Sequence, residues 1–401
     1  MKIYLSRPAV FSAAGKNAEE LWRSLLSGDQ SGIKRCETFS GSTFFAARID
    51  ENVLAPSSGR FDMKIIRIEE AALKQIENII EKAKEKYGEK RIAVCIGSCD
   101  NGTEFSLAGH RKYFENGAFP EDYSIEMQGA DYVSTFIAEK YSVSGPICTF
   151  STACSSSAGA IIKAAELIKS GICDAAIAGG IDIASDTTLD GFASLEAISE
   201  KITNPFSKNR SGITLGDGAA FFLLSKEPLD GSFPAINLLG YGESCDAYHM
   251  TSPDPSGIGA KKAIEKALAN AKITPDKVDY VNLHGTGTKF NDSMEAIAIN
   301  AVFGEEKVPC STTKPITGHT LGAAGALELA VCCMAIAENF GKNEAELPPQ
   351  IWDGAFDEEM PKLNFVNKNS SLNHNKINIC LSNSFAFGGA NACLVVGLET
   401  E

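Results

Sequence analysis

One of the twelve cysteines lies where a thiol could act as a nucleophile. In STACSSSAGA, residues 151–160, Cys154 follows a predicted strand at 146–150 and begins a helix of small residues. A helix N-terminus directs unpaired N–H groups and the positive end of its dipole toward such a sulfur, which lowers the pKa of the thiol. The sequence therefore predicts a thiol activated by the helix without a hydrogen-bonded base. A buried structural cysteine is the alternative.

Two of the five histidines lie beside glycine-rich turns. His284 is in VNLHGTGT, at the end of a predicted strand at 279–283, and His319 is in KPITGHTLGAAGALE, residues 314–328. Strand ends that open onto glycine-rich loops are where α/β sheets bind ligands. Each histidine alone could equally be a satisfied core residue. The other three lie in polar, loop-like sequence and receive no role: His110, His249 and His374.

Strands and helices alternate along most of the chain, which predicts an α/β fold. Apolar runs predict buried strands at 91–96, 175–178, 219–224, 279–283, 377–381 and 392–396. Helical periodicity predicts helices at 69–84, 156–169, 259–270 and 321–337. The N-terminal MKIYLSRPAV predicts a first strand, because its arginine stands where a signal peptide needs an apolar core.

Two segments, 155–168 and 321–334, resemble each other. Both begin with small residues, contain Ala-Gly-Ala and continue with apolar residues. Each is preceded at some distance by a strand that ends in a Gly/Ser/Thr turn, at 96–98 and 284–288. Because small residues allow a helix to approach its neighbour closely, we interpret the pattern as an internal twofold repeat with two similar halves packed back to back.

Composition excludes several classes of protein. At 401 residues the chain can form two domains or one large α/β unit, and its net charge of -14 argues against nucleic-acid binding. No run of about 18 apolar residues is present, which argues against a membrane span. The cysteines are scattered through apolar segments, as in a protein of the reducing cytoplasm. Cys95 and Cys99 lack a second pair at zinc spacing, so no metal site is expected there.

Four motifs together resemble those of β-ketoacyl-acyl-carrier-protein synthases of the elongating Cys-His-His type. They are TACSSSA around Cys154, VNLHGTGT around His284, KPITGHTLGAAGALE around His319 and NSFAFGGAN around Phe387. Their order and spacing match the family, and the resemblance covers nearly the whole chain, beginning at residues 18–33. It implies the thiolase fold, in which two similar α/β halves form a layered α-β-α-β-α core. We expect the halves at 1–240 and 241–401.

The resemblance implies a decarboxylative Claisen condensation in fatty-acid or polyketide synthesis. Cys154 would accept the acyl chain from a carrier-protein thioester, while His284 and His319 would promote the loss of CO2 from malonyl-carrier protein. Imidazole N–H groups can stabilise the enolate oxygen that results. The carbanion would attack the acyl group on the sulfur, and the backbone N–H groups of Cys154 and Phe387 would bind the oxyanion.

Further roles follow from the same resemblance. Lys314, five residues before His319, would polarise the site and pair with Glu328. Substrate-binding or supporting positions are Thr286, Thr288, Phe385, Phe387, Gly388 and Asp292. In some relatives a monovalent cation is held at positions that match Asn282, Glu328, Ser382 and Asn383. No other cofactor is implied, because the substrates arrive on the phosphopantetheine arm of acyl carrier protein.

Several segments depart from the family pattern and leave the substrate open. The motif GSGxGG reads GSCDNG at 97–102, FDxxRDGF reads FSKNRSGI at 206–213, and Thr288 is followed by KFND. The positions that differ are Asp100, Asn101, Ser207, Ser211 and Ala386. Polar residues beside the acyl pocket would suit a specialised polyketide or polyene pathway as well as fatty-acid synthesis.

Related functions differ from this one at single positions. A thiolase would carry a second catalytic cysteine where Phe387 stands, and Cys393 lies too far along the chain, within a strand. A starter-type synthase would have asparagine in place of His319. A non-catalytic partner subunit that shapes product length would lack the nucleophile Cys154.

The expected partners are acyl carrier protein and a second subunit, either a copy of the chain or a related protein. Carrier proteins are acidic and so is this chain, so any attraction must be local. Arg60, Lys64 and Arg67 fall on one face of a predicted helical segment at 60–80. We expect these three residues to contribute to carrier docking, with a solvated charged face as the alternative.

Overall fold

The computed structural model describes residues 1–57, 62–342, 344–367 and 376–398. Arg60 and His374 lie outside the described residues. The strands are β1 (Tyr4–Leu5), β2 (Ala9–Ser12), β3 (Lys34–Glu37), β4 (Thr43–Ala47), β5 (Ile92–Gly97), β6 (Ile147–Phe150), β7 (Ala175–Asp182), β8 (Leu215–Gly216), β9 (Gly218–Ser225), β10 (Asn237–Cys245), β11 (Tyr280–Asn282), β12 (Pro309–Ser311), β13 (Asn364–Phe365), β14 (Ile379–Phe385) and β15 (Ala390–Gly397).

The helices connect these strands and cover both faces of the main sheet. They are α1 (Ala18–Ser27), α2 (Lys64–Leu73), α3 (Glu77–Tyr87), α4 (Thr103–Asn116), α5 (Tyr132–Tyr141), α6 (Ser156–Lys169), α7 (Asp186–Ser194), α8 (Ile258–Ala271), α9 (Lys289–Phe303), α10 (Lys314–Thr317) and α11 (Ala324–Asn339). The alternation predicted from the sequence is therefore present.

The main sheet repeats one strand pattern twice. Its order is β13-β12-β11-β14-β15-β10-β1-β9-β7-β5-β6, with β2 also paired to β9, and a small second sheet contains β3, β4 and β8. In the first half β6, β5 and β7 are parallel, and β9 and β1 follow antiparallel. In the second half β12, β11 and β14 are parallel, and β15 and β10 follow antiparallel. The predicted internal repeat is confirmed. The domain boundary predicted between 240 and 241 falls within β10 and remains a prediction.

Two helices, α6 and α11, form the middle layer of the core. Helices α2, α3 and α5 cover the outer face of the first half, and α8 and α9 cover that of the second. The middle helices approach closely because small residues face each other. A Cβ added to Gly325 would lie 3.0 Å from the Cβ of Ala158, and the N–H of Ala326 donates to Ser157 Oγ at 2.9 Å.

Among the described residues, the stretch Leu321–Asn339 is long and apolar enough, by length and composition, to cross a membrane. A run of that length was not predicted from the sequence. Most of this stretch is buried between the two halves of the protein, where α11 contributes to the main apolar cluster.

The predicted helix at 69–84 is interrupted. The structure has α2, a 3-10 helix at Lys74–Ile76, and then α3. Ile76 leaves the helical conformation, with φ -119° and ψ 12°. Next to it, Gln75 turns its amide to the edge strand β2, where it accepts from Val10 N–H and donates to Val10 C=O. These contacts between distant residues are not visible in local periodicity.

Candidate active site

Cys154 lies in a short 3-10 helix, Ala153–Ser155, between β6 and α6. Ala153 has a φ of +50°, a left-handed conformation that alanine rarely adopts. The hydroxyl of Ser156 fixes this turn, because it accepts from Thr152 N–H at 2.9 Å and donates to Ala153 C=O at 2.6 Å. The side chain of Cys154 is buried. The predicted junction of strand and helix is present, with this turn inserted.

His319 contacts the thiol directly. Its Nε2 lies 3.0 Å from Cys154 Sγ, and Leu321 N–H donates to its Nδ1 at 3.1 Å. Because Nδ1 accepts a hydrogen bond, the neutral imidazole carries its proton on Nε2. The main chain of His319 is held by hydrogen bonds to Thr214 and Gly216. The thiol therefore has a hydrogen-bonded histidine, but this tautomer makes His319 a donor rather than a base, so the prediction that the thiol has no hydrogen-bonded base is not contradicted.

His284 follows β11 and faces the same space. Its ring lies 5.3 Å from that of His319, centroid to centroid, at an interplanar angle of 86°. The ammonium of Lys314 lies 3.4 Å from its Nδ1, while Nε2 has no hydrogen-bond partner in the structure. Lys314 also donates to the carbonyl of His284 and forms the predicted ion pair with Glu328. Both imidazoles can therefore present Nε2–H to a ligand above the sulfur.

A metal ion is an alternative ligand for this cluster, because sulfur and imidazole nitrogen are zinc ligands. The ligand atoms of Cys154, His284 and His319 lie within 4.8 Å of one another. However, the buried ammonium of Lys314 lies beside His284 and would repel a dication. The arrangement suits an anionic oxygen better than a metal.

Burial dominates the electrostatics of the thiol. Desolvation raises the pKa of Cys154 to about 12, although Lys314 and the backbone N–H groups of Phe387 and Cys154 favour the thiolate. The predicted lowering of this pKa by the helix end is therefore wrong, since the cost of burying the charged form is larger. The two N–H groups predicted to bind an oxyanion do meet at this sulfur.

The same burial keeps both imidazoles neutral. Desolvation, with the charge of Lys314 as a further cause, holds the pKa values of His284 and His319 well below the usual range. Burial raises the pKa of Glu328 to about 7, and the neighbouring Lys314 opposes that shift. Neutral imidazoles retain one N–H donor each across the physiological pH range.

Phe387 begins a tight turn at the mouth of the site, in a 3-10 helix at Phe387–Gly389. Gly388 and Gly389 have φ values of 80° and 77°, which favour glycine. The N–H of Gly388 donates to the carbonyl of Met250 at 2.7 Å. The ring of Phe387 stacks on Phe192 of α7, with centroids 5.8 Å apart. The turn thus places the N–H of Phe387 at the sulfur of Cys154 and an aromatic ring at the wall of the cavity.

A cavity of about 510 Å³ opens over Cys154, His284 and His319. Of the predicted substrate-binding residues, Thr286, Thr288, Phe385 and Phe387 line it, while Gly388 does not. Other lining residues were not predicted from the sequence. They lie mainly in or just after α7, at the start of α9 and in the loop after β10. They include Phe192, Leu195, Arg210, Thr251, Ser252, Pro253, Lys289 and Phe290.

Buried carboxylates hold the turn that carries His284. Glu295 of α9 accepts N–H bonds from His284 and Gly285, both at 2.8 Å, and burial raises its pKa to about 7. Asp292 accepts from Phe206 N–H at 2.7 Å and Gly287 N–H at 3.1 Å, in line with its predicted supporting role. The sequence analysis missed Glu295; its signal is a carboxylate within the apolar run MEAIAI.

Three of the positions that differ from the family, Asp100, Ser207 and Ser211, form hydrogen bonds within the protein. Asp100 accepts from Tyr132 O–H at 2.6 Å and Gly102 N–H at 2.7 Å. Ser207 donates to Asp353 at 2.8 Å, and Arg210 forms an ion pair with Asp357 at 2.6 Å. Asp353 and Asp357 thus contact the segment 206–213, in which the two acidic residues of the family motif are missing. Ser199 and Ser211 hydrogen-bond each other at 2.8 Å beside the cavity.

Two of the three residues predicted to dock the carrier protein, Lys64 and Arg67, are described. The structure contradicts the prediction for Lys64. Lys64 turns inward to the buried carboxylate of Asp217, 2.8 Å away, and only 11% of its side chain is exposed. Arg67 pairs with Asp62 at 2.6 Å and with Glu51 at 3.4 Å. The carboxylate of Asp217 needs a partner, and this need outweighs the helical spacing that suggested an exposed face.

Two family models match the chain: beta-ketoacyl synthase, N-terminal domain, over residues 9–228, and beta-ketoacyl synthase, C-terminal domain, over residues 236–347. The 3-oxoacyl-[acyl-carrier-protein] synthase 2 of Coxiella burnetii is 33% identical over 417 residues, and the match covers 98% of each chain. The protein of the same name from Vibrio cholerae is 30% identical over 421 residues, again with 98% of each chain covered.

Solved structures extend the similarity. A chain of the complex of the ketosynthase ApeO with its chain length factor ApeC, from Xenorhabdus doucetiae, is 38% identical with a TM-score of 0.90. That match covers 99% of this chain and 98% of the other. The ishigamide ketosynthase/chain length factor is 26% identical with a TM-score of 0.86, over 100% and 99% of the two chains.

Proposed function

Since the chain belongs to the β-ketoacyl synthase family and is a condensing enzyme of fatty-acid or polyketide synthesis, we propose that Cys154 carries the acyl chain and that His284 and His319 act on the malonyl unit. One observation carries the proposal. His319 Nε2 lies 3.0 Å from the sulfur while its Nδ1 accepts from Leu321, so a proton donor faces the reaction centre.

The first half-reaction transfers the acyl chain to Cys154. The sulfur attacks the thioester carbon of acyl-carrier protein, and the N–H groups of Cys154 and Phe387 bind the oxygen of the tetrahedral intermediate. The carrier thiol leaves and takes the proton that the cysteine thiol loses. Covalent storage on sulfur divides the two-substrate reaction into two easier steps.

The second half-reaction uses the imidazoles as hydrogen-bond donors. Breaking the C–C bond of the malonyl group releases CO2 and leaves an enolate, whose oxygen accepts from the Nε2–H groups of His284 and His319. Lys314, beside Nδ1 of His284, favours the tautomer with the proton on Nε2. The enolate carbon then attacks the acyl-cysteine, and the sulfur leaves and is protonated as the β-ketoacyl product departs.

The cavity fits a substrate that arrives on a flexible arm. Thr286 and Thr288 line it, with hydroxyl oxygens 3.1 Å apart, and can hydrogen-bond a phosphopantetheine arm. Phe385 and Phe387 provide apolar walls for the acyl chain. Acyl carrier protein is therefore the proposed donor of both substrates. All twelve cysteines are free, which supports a cytoplasmic location.

A related subunit is the proposed second partner. One similar solved structure is a ketosynthase in complex with its chain length factor. This chain retains Cys154 and both histidines, so it corresponds to the catalytic member of such a pair. At the edge of the main sheet β6 exposes 46% of Ile147, and elsewhere α4 exposes 82% of Phe114. These apolar surfaces support assembly with a second chain.

A monovalent cation is proposed at the positions that the family resemblance suggested. The buried oxygen atoms Asn282 Oδ1, Ser382 Oγ, Asn383 Oδ1 and Glu328 Oε2 have no hydrogen-bond partner in the structure. Oxygen atoms of this kind are ligands for hard cations, and an unpaired buried oxygen is unfavourable. A bound cation would neutralise part of the negative charge on Glu328 and keep the loop after β14 in place.

The roles of sulfur and imidazole are tested by separating the half-reactions. We expect Cys154→Ala to form no acyl-enzyme and to retain some malonyl decarboxylation. His284→Ala and His319→Ala should still form acyl-enzyme, while CO2 release and condensation fall about 10²–10³-fold, as for loss of an oxyanion donor. Intact mass and CO2 release are measured on each protein.

Matched controls use the same residue types at exposed positions. Cys245 and His110 are outside the cavity, so Cys245→Ala and His110→Ala should behave as wild type in both assays. If the two catalytic-site histidine variants lose acylation as completely as Cys154→Ala, a cysteine–histidine pair would replace the proposed division of roles.

A further inference from the structure

Asp182, the last residue of β7, is a buried carboxylate between two loops of the site. Its Oδ2 accepts N–H bonds from Cys99 at 2.9 Å and from Gly322 at 2.6 Å, and its Oδ1 accepts from Ser98 O–H at 3.3 Å. Cys99 follows β5 in the first half, whereas Gly322 lies in the second half, in the 3-10 helix Leu321–Ala323 that precedes α11. One carboxylate therefore joins backbone from both halves, and the sequence analysis gave it no role.

The contact with Gly322 is one residue from the group that orients His319. Leu321 has a φ of +52°, a left-handed conformation that is unfavourable for leucine. In this conformation its N–H donates to His319 Nδ1 at 3.1 Å, and Nε2 of the same ring lies 3.0 Å from Cys154 Sγ. A short series of contacts thus connects Asp182 to the imidazole.

The packing around Gly322 leaves no room for a side chain at that position. A Cβ on Gly322 would lie 2.6 Å from Asp182 Oδ2 and 3.0 Å from Cys99 N. Burial, and next the charge of Asp100, raise the pKa of Asp182 to about 7, so its ionised form is unfavourable at this place. An apolar residue would avoid that cost but would leave two buried N–H groups without an acceptor.

We propose that Asp182 is a positioning residue for His319, and that it holds the Leu321–Gly322 backbone so that Leu321 N–H fixes the Nε2–H tautomer. Asp182 is not among the residues that line the cavity, so it acts through the turn and not on the substrate. The inference rests on the proposed role of His319 in malonyl decarboxylation.

The test compares Asp182→Ala with Asp182→Asn. Alanine removes the acceptor, and we expect CO2 release to fall about 10²-fold, the effect of a small misplacement in an active site, while acyl-enzyme formation falls less than tenfold. Asparagine keeps an oxygen that can accept both N–H groups, so CO2 release should stay within about tenfold of wild type. Should the alanine variant not fold, Asp182→Glu, which displaces the acceptor, replaces it with the same expectation.

Two controls separate positioning from a loss of stability. Ser98→Ala removes the Oδ1 partner, together with the acceptor of Asp100 N–H, and leaves both Oδ2 contacts in place. Asp230→Asn changes a buried carboxylate that pairs with Arg7. Both should keep the wild-type ratio of CO2 release to acylation. An equal fall of both activities in Asp182→Ala, or no fall in either, overturns the proposal. A wild-type protein that releases no CO2 from malonyl-carrier protein overturns instead the proposed function.

Discussion

The two halves of the molecule use the same backbone turn for different purposes. Before α6 the turn begins at Ala153, with a φ of +50°, and before α11 it begins at Leu321, with a φ of +52°. The next residue is Cys154 in the first half and Gly322 in the second. The first turn presents a side chain to the cavity, while the second uses backbone N–H groups to hold His319 and contact Asp182.

This difference shows how a repeated element can diverge without a change of fold. The conformation of the turn is kept, and one side chain decides whether it carries a nucleophile. Ionisable groups are divided in the same way when residues are counted from the two turns. Glu328, as far beyond Leu321 as Ala160 is beyond Ala153, is paired with Lys314, whereas Ala160 is small and apolar. The second half therefore supplies the buried Lys314–Glu328 ion pair beside the site.

The difference between the two halves is tested most strongly by removing the buried charge of Lys314, which is found only in the second half. Lys314→Met leaves Glu328 buried without its cation, and loss of one partner of a buried pair destabilises proteins by about 3–5 kcal/mol. We expect a loss of this size in the free energy of unfolding, measured in urea. The double variant Lys314→Met/Glu328→Leu should regain part of the stability but not the CO2 release. Equal stability of the single and double variants would contradict this.

The turn before α11 can be disrupted by substitution of Gly322. In Gly322→Ala the new Cβ would clash with Asp182 and Cys99, so the turn must shift and carry Leu321 N–H away from His319. We expect condensation to fall about 10²-fold. Gly191→Ala in α7 is the control, because a Cβ there meets no atom within 4 Å. A wild-type condensation rate in Gly322→Ala would show that the second turn tolerates a side chain as the first does.

The first turn can be examined through the pH dependence of its thiol. With a Cys154 pKa of about 12, the thiolate fraction rises about tenfold for each pH unit across the range from 7 to 9. Alkylation of Cys154 by iodoacetamide, followed by peptide mass spectrometry, should rise accordingly without a plateau. The exposed Cys245 is the internal reference. A plateau near neutral pH would restore the helix-activated thiol that the sequence suggested.

The smallest expected effect is on the pH dependence of stability. It concerns α2 and α8, which cover the outer faces of the first and second halves. In α2 Glu69 is fully buried, neither carboxylate oxygen has a hydrogen-bond partner, and burial raises its pKa well above the usual range. In α8 the buried residues are glycine, alanine, isoleucine and leucine. A raised folded-state pKa means that stability decreases as pH rises above the unfolded value, near 4.3, toward the folded value.

Glu69→Gln should remove that part of the pH dependence, and Glu265→Gln on the exposed side of α8 should not. Thermal unfolding of both variants from pH 4 to pH 8 measures the difference. If the curve for Glu69→Gln parallels that of the wild type, the carboxyl group is not the source of the dependence.

Local patterns predicted the elements more accurately than the contacts between them. Helix α6 has the predicted bounds, because small and apolar residues continue without interruption from 156 to 169. The prediction of one continuous helix at 69–84 was wrong in part, because Gln75 binds an edge strand that is distant in sequence. The motifs located Cys154, His284 and His319, but the pKa of Cys154 depends on burial, which the sequence of one turn does not contain.

The position of β1 has a consequence for folding kinetics. This strand, made by Tyr4 and Leu5, pairs with β9 on one side and β10 on the other, so a strand that precedes both partners by more than 200 residues joins the two halves of the sheet. Tyr4 pairs with Ser225 and Asn237, and Cys154 and His319 are 165 residues apart. Contacts between such distant residues slow folding, because a long loop must close before the contact forms. A nascent chain therefore carries Cys154 through the synthesis of 165 further residues before the histidine that contacts it is complete.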